Sequence, residues 1–255
     1  MKGKMGIYDF HVHTTTTKIL PLLESAARAG ISRMNILGDV LRFGYYPDAQ
    51  QIKQINKETA CLIKKYDFLK GFCFINPGLP EKEVLQEMER CAMLGFSGIK
   101  LEASVNVRDS RLKPVMKAAR NLKLIVLHHS WYKTTGKLPR ESEPVDLAFL
   151  AGRFPEVPLV VAHLRGCGFR GIQDLKPFPQ VYFDTSGGQP VSGILEYAVE
   201  HLGPERIVFG SDVYYPGGRD FAVQISCVQK AGIKEKEKRL ILSLNAQRLM
   251  KKNDS

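Results

Sequence analysis

The chain opens with a strand-like segment that reads GIYDFHVH over residues 6–13. A segment with apolar residues three and four positions apart follows at 19–29, and a second β-branched, apolar segment follows at 32–37. A strand, a helix and a further strand in this order are typical of a parallel sheet built from βα units. The beginning of the chain therefore predicts an α/β fold.

The same alternation continues to the end of the chain and gives eight predicted strands. They are residues 6–13, 32–37, 68–75, 97–101, 124–129, 158–164, 181–185 and 206–211. Helical patterns lie between them, for example at 49–66, 81–94 and 112–122, and the weakest is 169–180, which contains two prolines. A single (β/α)8 TIM barrel domain commonly has about 250 residues, and no linker interrupts residues 1–255. We therefore predict one such barrel.

The composition is that of an ordinary folded protein, with 44% apolar and 25% charged residues. Lys and Arg outnumber Asp and Glu by 37 to 26, but much of the excess falls in helical or terminal segments such as 234–239. The single tryptophan, Trp131, follows a pair of histidines rather than a basic stripe. These features argue against a nucleic-acid partner and agree with a small, anionic substrate.

Targeting and redox signals are absent from the sequence. No apolar segment approaches the roughly 18 residues that a membrane helix needs, and no long apolar region precedes the first strand. The five cysteines form no CxxC pair or regular framework. We expect a cytoplasmic protein with reduced thiols and no membrane partner; the sequence leaves open whether it forms a homo-oligomer.

Five of the six histidines lie at predicted strand ends, namely His11, His13, His128, His129 and His163. The carboxyl ends of barrel strands are where such enzymes build their active sites. Two residues apart on one strand, the first two imidazoles share a face and could bind one metal ion. This pair alone is a weak signal, since two structural histidines near a loop would look the same.

Three further polar residues follow apolar strands. Asp212 comes directly after the eighth strand, where a buried carboxylate is costly unless it is paired or binds a metal, although it could also cap a turn. His163 ends the sixth strand, and Arg165 two residues later could bind a carboxylate, phosphate or carbonyl oxygen or lie in solvent. These positions favour a metal site with a neighbouring anion site.

Taken together, the motifs resemble the amidohydrolase superfamily, and specifically its amidohydrolase-related branch. The resemblance covers nearly the whole chain and rests on segments in family order, namely Asp9-Phe10-His11-Val12-His13, Gly98-Ile99-Lys100-Leu101, His129-Ser130-Trp131, Ala162-His163, Phe183-Asp184-Thr185-Ser186, Gly210-Ser211-Asp212 and Asn245-Ala246-Gln247-Arg248-Leu249. The chain departs from the common pattern at Leu101-Glu102-Ala103.

The resemblance implies that His11, His13, His129 and Asp212 hold a divalent metal, with zinc as the expected ion. His163 would either bind a second metal or assist catalysis. Since neighbouring residues of a strand point to opposite faces, only one histidine of the 128–129 pair can reach the barrel axis. The similarity of the segment 129–131 to the family selects the second of them.

The role of Lys100 stays open at this stage. In some members that this chain resembles, a lysine at the end of the fourth strand is carbamylated and bridges two metals, with His163 completing the second site. Alternatively, an unmodified Lys100 at the barrel mouth could contact an anionic substrate or pair with Glu102, or extend into solvent. We favour one metal with Lys100 beside it.

The expected function is hydrolysis of a small ester, lactone, amide or phosphoester by a water that the metal activates. Asp212 would accept the proton and His163 would stabilise the developing oxyanion. The alternatives are a metal-dependent decarboxylase, with Arg165 or Arg42 on the substrate carboxylate, and a catalytically silent barrel that binds an anion.

Overall fold

The computed structural model describes residues 6–14, 19–188, 192–214 and 220–254. Within these ranges nine strand segments form one sheet. They are β1 Ile7–His13, β2 Ile31–Ile36, β3 Leu69–Ile75, β4 Gly98–Leu101, β5 Ile125–His128, β6 Leu159–Val161, β7 Val181–Asp184, β8 Ile207–Val208 and β9 Val213–Tyr214.

Every strand pairing is parallel, and the spatial order is β8-β7-β6-β5-β4-β3-β2-β1-β9. β8, which lies within the eighth predicted strand at 206–211, pairs with β7, and the short β9 beyond that predicted strand pairs with β1 on the other side of the closing seam. Backbone hydrogen bonds from Phe10 N–H to Phe209 O and from Asp212 N–H to His11 O join the seam at 2.8 Å each. The sheet is the predicted (β/α)8 TIM barrel.

The described residues contain ten α-helices, of which the first seven alternate with the strands and the last three follow β9. They are α1 Ile19–Arg28, α2 Ala49–Lys65, α3 Glu81–Met93, α4 Leu112–Asn121, α5 Pro144–Arg153, α6 Leu164–Leu175, α7 Ile194–Leu202, α8 Phe221–Gln229, α9 Glu235–Arg239 and α10 Asn245–Asp254. None of the helices in these ranges combines the length and the apolar character that crossing a bilayer requires.

Most of the predicted bounds lie within one residue of the structure, and those of the sixth strand, the eighth strand and the helix at 169–180 differ by more. The sixth strand was expected to run through Leu164, but that residue already begins α6. The helix predicted at 169–180 starts earlier and ends at Leu175, and Gly168, with a φ of 66°, kinks it. A glycine adopts this left-handed conformation without the steric cost that a Cβ would add. The prolines at 177 and 179 lie beyond its end.

The strands have two apolar faces, as expected for a sheet that is buried on both sides. Outward-facing residues such as Cys73 and Val126 pack under the helices, and inward-facing residues such as Phe72, Phe74 and Leu127 fill the barrel. The inner cluster also contains Ala246, Leu249 and Met250 of α10. With apolar residues filling the rest of the interior, the polar residues at the carboxyl ends of the strands stand out.

Candidate metal centre

A bulge in β1 lets its histidines face the barrel interior. The pairing with β2 advances by three residues on β1, from Asp9 to Val12, but by only two on the partner strand. Phe10 faces the barrel interior, where its ring meets Phe72 edge-on. Because of the extra residue, the next residue, His11, also faces inward. Bulges of this kind often re-aim a side chain beside a functional site.

The eighth strand is interrupted by a bend that carries Asp212 to the same place. Asp9 Oδ1 accepts hydrogen bonds from the N–H groups of His11 and Ser211, at 3.1 and 3.0 Å, and so ties the bulge to the bend. Asp212 and His163 have φ values of 55° and 70°, which a non-glycine residue rarely adopts. Such strained residues often mark functional sites, where the surrounding structure holds them in place.

Three atoms that can act as metal ligands converge at this point. His11 Nε2 lies 3.2 Å from His13 Nε2 and 3.3 Å from Asp212 Oδ1. His13 Nε2 lies 3.1 Å from the same carboxylate oxygen. Both histidines are buried, so water does not separate these atoms from one another.

Asp184, at the end of β7, decides which nitrogen of His11 is protonated. Its Oδ2 lies 2.7 Å from His11 Nδ1. Burial alone would raise the pKa of Asp184, but the electrostatic interaction and the hydrogen bond with His11 hold it well below its ordinary value. The ionised carboxylate only accepts, so His11 Nδ1 carries the proton. In the neutral ring, which burial favours by lowering the pKa of His11, Nε2 then has only a lone pair.

The three converging atoms therefore share at most one proton. His11 Nε2 and Asp212 Oδ1 are both acceptors, and at most His13 Nε2 carries one proton, which can point at only one of its neighbours. Donors of a tetrahedral ion bound at about 2.0–2.1 Å lie roughly 3.3–3.4 Å apart, and adjacent donors of an octahedral ion lie roughly 3.0 Å apart. The measured 3.1–3.3 Å agrees with a divalent cation in either geometry.

His163 approaches the same cluster from the start of α6. Its Nδ1 lies 2.9 Å from Ser186 Oγ, which itself donates to Asp184 Oδ1 and so accepts from the imidazole. Burial holds the pKa of His163 well below its ordinary value, which leaves Nε2 of the neutral ring unprotonated. His11, His163 and Asp184 form a second set of potential metal ligands beside His11, His13 and Asp212.

The two adjacent histidines of the fifth strand point in opposite directions, as the alternation requires. His129 Nδ1 lies 3.1 Å from His163 Nε2, and its Nε2 lies 2.7 Å from Glu141 Oε1. His128 is buried away from the cluster and bonds the carbonyl of His129; burial lowers the pKa of His128 to about 3. The structure thus places the predicted histidine of the pair beside His163 but in neither set of potential metal ligands, and its role as a metal ligand stays a prediction.

Lys100 is fully buried inside the barrel, so it does not extend from the mouth into solvent. It pairs in register with Phe74 and Leu127 on the neighbouring strands, and its Nζ lies 3.0 Å from Glu102 Oε1. Burial alone would raise the pKa of Glu102, but electrostatic interactions with Lys100 and His129 lower it to about 2. Glu102 Oε2 lies 3.7 Å from His129 Nδ1, so this ion pair borders the cluster.

The two arginines considered for substrate binding have other partners. Arg165 contacts Gln224 and Cys227 of α8. Arg42 donates two hydrogen bonds of 3.0 Å to Glu58 of α2. Neither contact belongs to the histidine cluster, and a role for Arg165 toward substrate remains a prediction.

Two residues of the site had no role in the sequence analysis. Asp184 lies in one of the motifs that carried the family resemblance, and its place at a strand end is the signal that could have found it. Glu141 lies in the loop between β5 and α5, where sequence spacing carries no information about a contact with His129. Burial alone would raise the pKa of Glu141, but hydrogen bonds from His129 and Lys133 lower it to about 2.

The sequence matches one protein family over almost its full length. Residues 8–251 match the family model described as amidohydrolase, which confirms the resemblance that the motifs indicated. No curated protein matches the sequence.

Solved structures with the same fold include three that are named as enzymes acting on small aromatic acids or a pyrone dicarboxylic acid. A 5-carboxyvanillate decarboxylase from Sphingomonas paucimobilis is 14% identical, with a TM-score of 0.76 over 97% of this chain and 99% of that one. A dihydroxybenzoic acid decarboxylase from Polaromonas, with bound manganese and the inhibitor 2-nitroresorcinol, is 15% identical, with a TM-score of 0.74 over 99% and 98%. A proposed 2-pyrone-4,6-dicarboxylic acid hydrolase from Pseudomonas putida is 16% identical, with a TM-score of 0.68 over 97% and 98%.

Proposed function

The chain belongs to the amidohydrolase family, and we propose that it is a metal-dependent hydrolase acting on a small, anionic ester, lactone, amide or phosphoester. The reaction takes place at the carboxyl ends of the barrel strands, where such folds carry their active sites. The proposed ligands are His11, His13, His129 and Asp212, with His163 beside them.

One observation carries this proposal. The lone pairs of His11 Nε2 and Asp212 Oδ1 face each other at 3.3 Å in a buried site, and His13 Nε2 lies within 3.2 Å of both. Two acceptors at this distance repel each other unless a cation lies between them. Asp184 accepts the proton on His11 Nδ1 and so keeps the lone pair on Nε2, facing Asp212. Carboxylates commonly hold metal-binding histidines in this way.

A bound divalent ion supplies acidity, because it can lower the pKa of a water molecule to about 7 and polarise a carbonyl or phosphoryl oxygen. Three imidazoles and one carboxylate suit zinc, which we propose as the resident ion. A second ion beside Lys100 and His163 is the alternative stoichiometry.

Asp212 is proposed to accept the proton that the attacking water loses. Burial alone would raise the pKa of Asp212, but His11, His163 and His13 hold it well below its ordinary value, so the carboxylate is ionised. Its two oxygens face different partners, Oδ1 toward the β1 histidines and Oδ2 toward His163 Nδ1 at 3.7 Å.

His163 is proposed to stabilise the negative charge that develops on the substrate oxygen, a role for which its Nε2, which has a lone pair in the neutral ring, must carry a proton when substrate is bound. Its ring is held by Ser186 on one side and lies 5.2 Å, between ring centres, from the indole of Trp131 on the other. Lys133 Nζ lies 5.9 Å from the centre of the same indole and pairs with Glu141 Oε1 at 2.7 Å.

The test is a screen of the zinc-loaded and manganese-loaded protein against lactones, carboxylic acids, phosphoesters and amides. Ester, lactone, amide or phosphoester cleavage supports the proposal, whereas release of carbon dioxide as the only activity contradicts it in favour of a decarboxylase. A protein that purifies without metal and turns over nothing is the silent barrel.

Asp212→Asn should lower kcat by about 10²–10⁴, because the amide keeps the size of the carboxylate but cannot accept the proton. Asp174→Asn is the matched control, since Asp174 accepts a hydrogen bond from Tyr132 outside the cluster. An Asp212→Asn variant that melts like the parent and retains its kcat would remove Asp212 from the proposed chemistry.

A further inference from the structure

The loop at residues 130–143 places a buried carboxylate against the site. The side chain of Glu141 has no exposed surface. Its Oε1 lies 2.7 Å from His129 Nε2 and 2.7 Å from Lys133 Nζ, and its Oε2 accepts a hydrogen bond of 3.0 Å from the N–H of Leu138. A loop carboxylate with this many partners is fixed rather than solvated.

This contact determines the tautomer of His129. An ionised carboxylate only accepts, so His129 Nε2 carries a proton and the neutral ring has its lone pair on Nδ1. That nitrogen lies 3.1 Å from His163 Nε2, which is itself unprotonated because His163 Nδ1 donates to Ser186. Two lone pairs therefore face each other on this side of the cluster as well, and they too need a cation between them.

We propose that Glu141 is the positioning residue that holds His129 Nδ1 toward the metal centre, an inference that rests on the proposed function. If Glu141 were absent, the His129 ring could protonate at Nδ1 and turn its lone pair away from His163. Lys133 neutralises the buried carboxylate and does not touch the His129 ring in any described contact, so Glu141 acts on His129 directly and Lys133 only supports Glu141.

The contacts separate Glu141 from a purely structural loop anchor. An anchor needs only the hydrogen bond from Leu138, which Glu141 receives on Oε2, whereas the histidine and the lysine share Oε1. Glu143 offers a matched control two residues away, because its side chain pairs with Lys137 at 2.7 Å and has no described contact with the cluster.

The tautomer can be read directly in the full chain labelled with ¹⁵N-histidine, because only six histidines are present and a His129→Gln variant assigns the signal. In the metal-free parent we expect His129 to be protonated at Nε2. In Glu141→Ala we expect a mixture of tautomers, and zinc binding, measured by competition with a chelator, that is about 10–100-fold weaker than in the parent. Glu143→Gln should change zinc affinity less than twofold.

The outcomes are distinct. A parent that binds zinc, with a Glu141→Ala variant of equal affinity or unchanged His129 tautomer, overturns the inference and leaves the proposed function standing. A parent that binds no zinc overturns the proposed function, and the inference with it. If Glu141→Ala does not fold, Glu141→Gln, which keeps the volume, replaces it and should weaken zinc binding at least threefold; unchanged binding overturns the inference.

Discussion

Replacing Asp184 by asparagine should weaken metal binding although Asp184 itself need not touch the metal. The carboxylate accepts the Nδ1 proton of His11 on Oδ2 and the N–H groups of His163 and Ser186 on Oδ1. An amide has one acceptor and one donor end. If the oxygen faced His11, the NH₂ group would face two backbone N–H groups, and each buried donor left unsatisfied costs about 1–3 kcal/mol.

The less costly orientation therefore keeps the oxygen toward the backbone and turns the NH₂ group toward His11. His11 must then accept on Nδ1, and its proton moves to Nε2, where it points at Asp212 and competes with the cation. Replacing a residue that hydrogen-bonds a metal-binding histidine typically weakens metal binding 10–100-fold. At a zinc concentration 100 times the parent Kd, the stabilisation by zinc would fall from about 2.7 kcal/mol to between about 1.4 and 0.4 kcal/mol.

Chelator competition gives the Kd, and urea unfolding with and without zinc gives the stabilisation. Asp146→Asn is the matched control, because Asp146 accepts hydrogen bonds from Arg108 and Asn106 at a distance from the cluster. An Asp184→Asn variant with the zinc affinity of the parent would refute the assignment of the His11 tautomer.

Three further predictions follow from individual contacts. His129→Ala should weaken zinc binding at least tenfold and His128→Ala less than twofold; the reverse result in a chelator competition would place the wrong ring in the site. Lys100→Met leaves Glu102 buried without its partner and should lower the free energy of unfolding in urea by about 3–5 kcal/mol. The double variant Lys100→Met, Glu102→Gln should largely restore that stability, and an equal loss in both variants would contradict the pairing. Burial opposes the shift, but hydrogen bonds and charge from Arg90 lower the pKa of Glu87 below its ordinary 4.5. The ionised Glu87 therefore stabilises the fold above that pH, and this stabilisation is lost as the pH falls below it. Glu87→Gln should make the free energy of unfolding depend less on pH in the acid range, and an unchanged dependence would contradict this.

The barrel was predictable because each strand carries its own signal. Apolar, β-branched segments alternate with helical periodicity, and a parallel sheet buried on both faces follows from that pattern. The strand bounds were less predictable where polar site residues interrupt the pattern. Leu164 continues an apolar segment in sequence but begins α6, since the left-handed His163 turns the chain there.

The site was predictable where its residues lie at strand ends in motifs. The spacing of His11 and His13 indicated a shared face, and the position of Asp212 indicated a buried carboxylate. Side chains that approach from other elements were not predictable in this way, because a contact such as that of Glu141 with His129 depends on how a loop folds back. The burial of Lys100 was not predictable either, because only the closed barrel shows that its side chain points inward.

Metal content, measured by elemental analysis of the purified protein and of a variant with His11 and His13 both replaced by Ala, tests the central claim most directly. We predict at least about one divalent ion per chain in the parent, because His11 Nε2, His13 Nε2 and Asp212 Oδ1 lie within 3.3 Å of one another with at most one proton between them. The double variant should lose that ion. A double variant that folds, retains the full metal content and keeps the activity of the parent would contradict the assignment of the site.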